Sequence, residues 1–389
     1  MKETNPNTPS IRSGNLAERG WNFPSHSVST GLQPVGMILT PLLLALITGI
    51  GLGVVVLHDP LTMILAIWQG AWGSIESAAA TLTKTTPLLL TGLAVAIAHR
   101  TGLLNIGCEG QLTLGALAAA SVAIGGARLP SLILLPVAVA SGALVGAIWA
   151  WPAVWLRQHR GVHEVISTLL LNYVAIYVAE YLVRGPLGDG SAMGRTPAVP
   201  EQAILPPLVE FGTLGITAAP IAALLLALLA QAWFSWSIWG FEATAVGSNS
   251  LAAERAGINA DRWRTQLFVI SGGLAGLAGA VEVLAVHHRF YAAFSPGYGF
   301  DGITVAFLVK GSPGWLWLSS LLLATLRSAD KWLQLALGIS PNVILILVAM
   351  LLLAVSCQGG WGWLIPRTLL RQWSSSQQAP PPERPASNS

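Results

Sequence analysis

Thr101-Gly-Leu-Leu-Asn-Ile-Gly-Cys-Glu-Gly-Gln-Leu-Thr-Leu-Gly115 sets an Asn, a Glu, a Gln and four glycines in the middle of sequence otherwise greasy enough to live in lipid. A carboxylate at the centre of a bilayer costs ~2.5 kcal/mol or more, so an acid there marks a functional position. The neighbouring glycines loosen a helix and let backbone or ligand come close. Working outward, residues 87–124 would form a helix of about 57 Å, nearly twice the hydrocarbon core. The chain must turn or break within this stretch, and His99-Arg100 to Gly110 is the expected place.

The composition agrees with a life in the bilayer. Of 389 residues, 53% are hydrophobic and only 10% charged, against ~25% charged in a soluble domain. Apolar runs of membrane length fall at 36–57, 132–156, 163–183, 218–238, 265–287 and 342–360. A second interrupted stretch, 299–327, carries the turn signal Lys310-Gly-Ser-Pro-Gly314. The expected fold is an all-α polytopic membrane protein of about ten transmembrane helices, some discontinuous. Residues 1–35 and 367–389 read as disordered polar tails around a transmembrane domain at 36–366, and 61–84 as an amphipathic or half-inserted external helix. With ten crossings, the N-tail, Arg100, Arg157, Arg160, Arg255, Arg262, Arg264, Lys310 and the C-tail outnumber Lys84, Arg128, Arg184, Arg195, Arg289, Arg327 and Lys331 in basic residues. This puts both termini in the cytoplasm. The longest external loop, 184–217, is either a disordered connector or a docking surface for an external partner.

Several classes of function are excluded. There is no GxxxxGK[ST], no HExxH and no Gly-x-Ser-x-Gly, so neither ATP-phosphate binding by a P-loop nor a hydrolase nucleophile is on offer. The basic excess is too small to argue for nucleic acid. Cys108 and Cys357 stand far apart in apolar sequence and imply no disulfide; no metal site is expected, at His287 and His288 or elsewhere.

The candidate path residues are the polar groups at membrane depth: Asn105, Glu109, Gln111, Asn172 and Asp301. Gly107-Cys-Glu-Gly110 and Gly299-Phe-Asp-Gly302 share a Gly-x-acid-Gly pattern, each ahead of a short apolar helix. Interrupted segments at corresponding places in two halves are a pointer to a transport site. Glu109 and Gln111 are about 200° apart on a regular helix. Either the chain is irregular at Gly110 or one of the two packs against another helix. Asn172 suits a lining role or a helix-to-helix hydrogen bond equally, whereas Glu164 suits a structural cap or a pair with Arg160. Ser271-Gly-Gly-Leu-Ala-Gly-Leu-Ala-Gly279 places small residues at helical spacing, as close helix packing needs. A proton- or sodium-coupled transporter using Glu109 and Asp301, and a non-transporting scaffold, are the rival readings.

On the cytoplasmic side, the loop 240–264 contains a short helix that Ser248 or Asn249 can cap, running through Leu251-Ala-Ala-Glu-Arg-Ala and stopping at Gly257. This loop resembles the coupling segment of ABC importer permeases, which sits in a cleft of a separate ATPase. The chain is similar to the branch of these permeases that serves basic-membrane-lipoprotein-linked nucleoside importers and simple-sugar systems. The matching stretches are Thr86-Pro-Leu-Leu-Leu-Thr-Gly-Leu-Ala-Val-Ala96, Asn105-Ile-Gly-Cys-Glu-Gly-Gln111, Glu164-Val-Ile-Ser-Thr-Leu-Leu-Leu-Asn-Tyr173, Val246-Gly to Gly257-Ile-Asn259 and Ser295-Pro-Gly-Tyr-Gly-Phe-Asp-Gly-Ile303. Thr244 and Glu242 stand where that family usually carries basic residues, and Leu104 where it has Phe. The resemblance implies a multi-pass plasma (inner) membrane permease for a small polar solute, a nucleoside or simple sugar. It implies a second, homologous permease chain, an external substrate-binding protein and a cytoplasmic ATPase that binds the ATP and Mg, this chain carrying no cofactor. It implies ATPase coupling through Gly247, Asn249, Ala252, Ala253, Glu254, Arg255 and Gly257.

Overall fold

Twelve helices and one hairpin make up the part of the chain that the computed structural model describes, residues 60–211, 214–338, 340 and 342–356. The expected first span at 36–57, both tails and Cys357 lie outside the described residues. The helices are α1 (Pro60–Trp72), α2 (Ile75–His99), α3 (Cys108–Gly125), α4 (Ser131–Arg160), α5 (Glu164–Arg184), α6 (Ala219–Trp236), α7 (Ile238–Ser248), α8 (Ser250–Arg255), α9 (Ala260–Glu282), α10 (Tyr298–Leu308), α11 (Leu316–Leu337) and α12 (Asn342–Ser356). One π turn, Val283–His287, prolongs α9. Six of these are long and apolar enough to cross a membrane: α2 to α6, and α9 with its π turn.

Both expected breaks are present. The first separates α2 from α3 between His99 and Cys108; the second runs from Leu308 through a 3-10 turn at Pro313–Trp315 to α11. The reading of 61–84 as one external segment is corrected. Residues 75–84 are the first turns of the spanning helix α2, while α1 packs separately on α11. Within α2, Thr81, Thr83 and Thr85 each donate to the carbonyl four residues back, so their hydroxyls are satisfied by the helix itself. Lys84 reaches the carbonyl of Arg327 at 2.9 Å.

The loop 184–217 is folded, and it holds the one departure from an all-α fold among the described residues. β1 (Pro207–Phe211) pairs antiparallel with β2 (Leu214–Thr217). Upstream, Thr196 N donates to Phe290 O, Val199 N to His288 O and Leu205 N to Leu284 O, lacing the loop to the far end of α9. Asp189 accepts from Ser191 N and Arg195 Nε; the Ser191 side chain, then its backbone N–H and then Arg195 hold the carboxyl down to about 2.

At the centre, α9 packs on α4, α3 and α2. The small residues of 271–279 do what their spacing predicted, for Gly272 and Gly276 meet the backbone of Gly146 and Gly142 on α4, and Gly115 of α3 faces Gly276. A methyl group at Gly115 would lie 2.5 Å from Gly276 Cα, so helices touch here through main chain alone. Away from this seam α4 exposes Leu132, Ile133, Leu144 and Ile148, and α6 exposes Ile221, Leu225, Leu228 and Leu229. Surfaces of that kind suit contact with acyl chains.

Candidate translocation core and coupling surface

The first break is built by side chains that replace the missing helix. Asn105 Oδ1 accepts from Gly107 N at 2.9 Å and from Gln111 Nε2 at 3.2 Å, while its Nδ2 donates to Gln111 Oε1 at 2.8 Å and Ser271 Oγ at 2.9 Å. Asn172 of α5 then closes the start of α3: its Oδ1 accepts from Gly110 N and its Nδ2 donates to Ile106 O, each at 2.8 Å. Helix starts leave backbone N–H groups without partners, and here a side chain from another helix supplies one.

Glu109 does the same for the second break. Its Oε2 accepts from Gly299 N at 2.7 Å, at the first turn of α10. It also lies in the first turn of its own helix, so one carboxyl side chain stands between two helix starts. The two Gly-x-acid-Gly segments are therefore in direct contact, and a methyl group on Gly299 would collide with the Glu109 backbone. Asp301, two residues on, is held by Arg327 of α11 through Nε at 2.8 Å and Nη2 at 2.7 Å. Thr91 of α2 donates to Tyr298 O at 3.0 Å, tying the same turn from the other side.

Asn105, Glu109, Gln111, Asn172 and Asp301 thus belong to one connected set, and all five are buried. The helix is regular at Gly110, so Glu109 and Gln111 face different neighbours. A cleft of about 780 Å³ lies elsewhere, beside α8, lined by Trp233, Glu242, Gly257, Arg262 and Trp263 among others. Three contributors to the core escaped the sequence reading. Ser271 was absorbed into a glycine stripe, Thr91 into an apolar helix, and Arg327 into the count of basic residues on the outer side. Arg327 instead sits within α11 with its side chain 13% exposed. Glu164 pairs with Arg157 rather than Arg160, because the reversal at Gly161 turns Arg157 back over the start of α5.

The handle at 240–264 is compact. Asn249 caps α8 by accepting from Ala252 N at 3.0 Å. At the other end Ile258 N donates to Ala253 O and Gly257 N to Glu254 O, with Gly257 at φ +84°, the double bond of a Schellman stop. Ala253 is buried against Val246 and Ala260, whereas Leu251, Ala252, Glu254, Arg255 and Gly257 are exposed. Gly247 approaches so closely that a methyl group there would overlap Arg100 O, which docks this loop on the first break. Glu242 accepts from Trp263 Nε1 at 3.0 Å and so joins α7 to α9.

Comparison with known proteins places this architecture. The profile of the branched-chain amino acid transport system / permease component family matches residues 77–356. The glucose ABC transporter permease protein of Haloferax volcanii is 36% identical over 70% of this chain and 74% of its own length. The guanosine ABC transporter permease protein of Bacillus subtilis is 35% identical over 82% of this chain and 93% of its own. The nucleoside ABC transporter permease protein of Lactococcus lactis subsp. cremoris is 28% identical over 82% and 90%. These relatives are transport components rather than enzymes, and they favour neither the ion-coupled transporter nor the scaffold. The chain belongs to the branched-chain amino acid transport system / permease component family and is a multi-pass membrane permease of an ABC transporter.

Proposed function

We propose that this permease forms the path of an ATP-driven importer for a small polar solute, a nucleoside or simple sugar, in the plasma (inner) membrane. The cargo class is supported by relatives whose names specify guanosine, nucleosides and glucose. About ten crossings with both termini cytoplasmic fit the six described spans, the shorter helices and the apolar run at 36–57. The partners are a cytoplasmic ATPase that binds ATP and Mg, a second homologous permease chain and an external binding protein.

The observation that carries the coupling mechanism is α8, tied down at both ends and through Ala253 yet presenting Leu251, Ala252, Glu254 and Arg255 outward. Closure of the ATPase pushes on this face, and Gly247 passes the movement to Arg100 and the first break. Asn105, Glu109, Gln111, Asn172 and Asp301 act on the path by holding its two breaks in shape.

Reconstitution of the full complex tests this. ATP-dependent accumulation of radiolabelled guanosine or glucose is expected. Accumulation driven by a proton or sodium gradient without ATP overturns the reading. Reversing charge at Glu254 and Arg255 should uncouple ATP hydrolysis from uptake or prevent ATPase recruitment; a normally coupled complex from that variant counts against the role of α8.

A further inference from the structure

The chain has five tyrosines, and three of them, Tyr173, Tyr177 and Tyr181, stand at four-residue intervals on α5 with relative exposures of 53%, 66% and 72%. Residues four apart share one helix face. The opposite face of α5 is buried through Ser167, Thr168, Asn172, Ala175 and Ala179, so the tyrosines are turned away from the protein.

Depth decides what they meet. Tyr173 lies nine residues into α5, about 13.5 Å along the helix axis and thus near mid-membrane. Tyrosine prefers the two interfaces of a bilayer, where its hydroxyl stays wet. A belt residue at a lipid interface explains Tyr181 and leaves Tyr173 unexplained. The same face continues outward into the Glu180–Arg184 ion pair at 2.8 Å. The large side chains that α6 exposes over 221–229 are Leu and Ile, α4 adds Trp151 at 50%, and α5 itself exposes Leu170, Val174 and Val178 beside its tyrosines, so the hydroxyls and the ion pair are what set this face apart. One face carrying a hydroxyl at every turn of its outer half, and then two charges, is what a water-filled passage selects.

We propose that this face of α5 lines the path, and that Tyr173, Tyr177 and Tyr181 form a ladder of aromatic surfaces on which the flat base of a nucleoside stacks while the hydroxyls meet its polar edge. This rests on the importer reading above and names the groups that touch its cargo. Stacking suits a passage because it is tolerant of the ring's orientation and leaves no fixed charge to trap the solute.

The test uses the full complex in membrane vesicles, with Cys357 replaced by Ser and Cys108 left in its buried place. Tyr173→Cys and Tyr177→Cys should react with a membrane-impermeant maleimide, Leu225→Cys on α6 should not, and guanosine should slow the reaction. Absence of labelling at both tyrosine positions, or a disulfide formed by Tyr177→Cys with a neighbouring permease chain, overturns the lining role. Tyr177→Ala should raise KM for guanosine about fivefold or more, the loss of one stacking surface, while Tyr177→Phe keeps it within about twofold. Labelling without guanosine protection, together with an unchanged KM in Tyr177→Ala, leaves a wet surface that no base touches and overturns the ladder. Failure of the importer reading shows separately, as absence of ATP-driven uptake by the unsubstituted complex.

Discussion

Glu109 carries the tightest single dependence in the core, since its carboxylate is the acceptor for the Gly299 N–H at the start of α10. Glu109→Ala leaves that N–H buried without a partner, at a cost of about 1–3 kcal/mol. Glu109→Gln keeps an acceptor oxygen and should lose less. Thermal unfolding of the detergent-solubilised protein orders the three chains, and equal losses for Ala and Gln would show that the hydrogen bond is not what matters. Arg327→Leu strands Asp301 in a buried site, where removing one partner of an ion pair costs about 3–5 kcal/mol. Adding Asp301→Asn to Arg327→Leu should restore much of the loss. A double variant as unstable as Arg327→Leu alone would mean that Arg327 acts through something other than Asp301.

Among the elements, α8 depends on its caps more than on its length, because six residues are too few for a helix to persist alone. Asn249→Ala should weaken the helix by about 1 kcal/mol, seen as faster amide exchange at 250–257 and poorer retention of the ATPase, with the transmembrane helices unaffected. The loop 184–217 offers a pH dependence of known sign. Asp189 is held at about 2, first by the Ser191 hydrogen bonds and then by Arg195, below the usual carboxylate value of about 3.9. Its contribution is complete above that ordinary value and is lost as pH falls toward about 2. Amide exchange at 189–195 should stay constant from pH 8 to 5, once corrected for intrinsic rates, and rise only in stronger acid. A rise near pH 6 would assign the loop's order to another group.

For the whole molecule, the glycine seam sets what the fold tolerates. Gly276→Leu would push α9 off Gly142 and Gly115, so folded protein should be lost on expression; Gly276→Ala should fold less stably, and normal stability of the Leu variant would refute the seam. Much of this architecture was readable in the sequence. Membrane-length arithmetic placed both breaks, glycine spacing placed the seam, and Asn249 to Gly257 spelled a capped helix. The failures share a cause: local polarity reports water only when its hydrogen bonds go to water. Thr81, Thr83 and Thr85 spend theirs on their own helix, and Arg327 spends its charge on Asp301. Partners of this kind are distant in sequence or hidden in the backbone, so residue type alone did not show that 75–84 belongs to α2 or that Arg327 holds Asp301. The core residues were found by their chemistry, yet which residue holds which, Asn172 on α3 and Glu109 on α10, needed the fold.

The junction between α8 and α9 has a mechanical consequence. Only Ala256 to Asn259 separate the two helices, and that span is stapled by Ile258 N on Ala253 O and by Arg262 N on Asn259 Oδ1. A linker bound at both ends stores no slack, so any displacement of α8 appears at once at the foot of α9. That helix is clamped farther up by bare main chain, with no long side chains to bend. The pair works as a crank without backlash, and the freedom for the molecule to change shape must lie in whatever this block turns against.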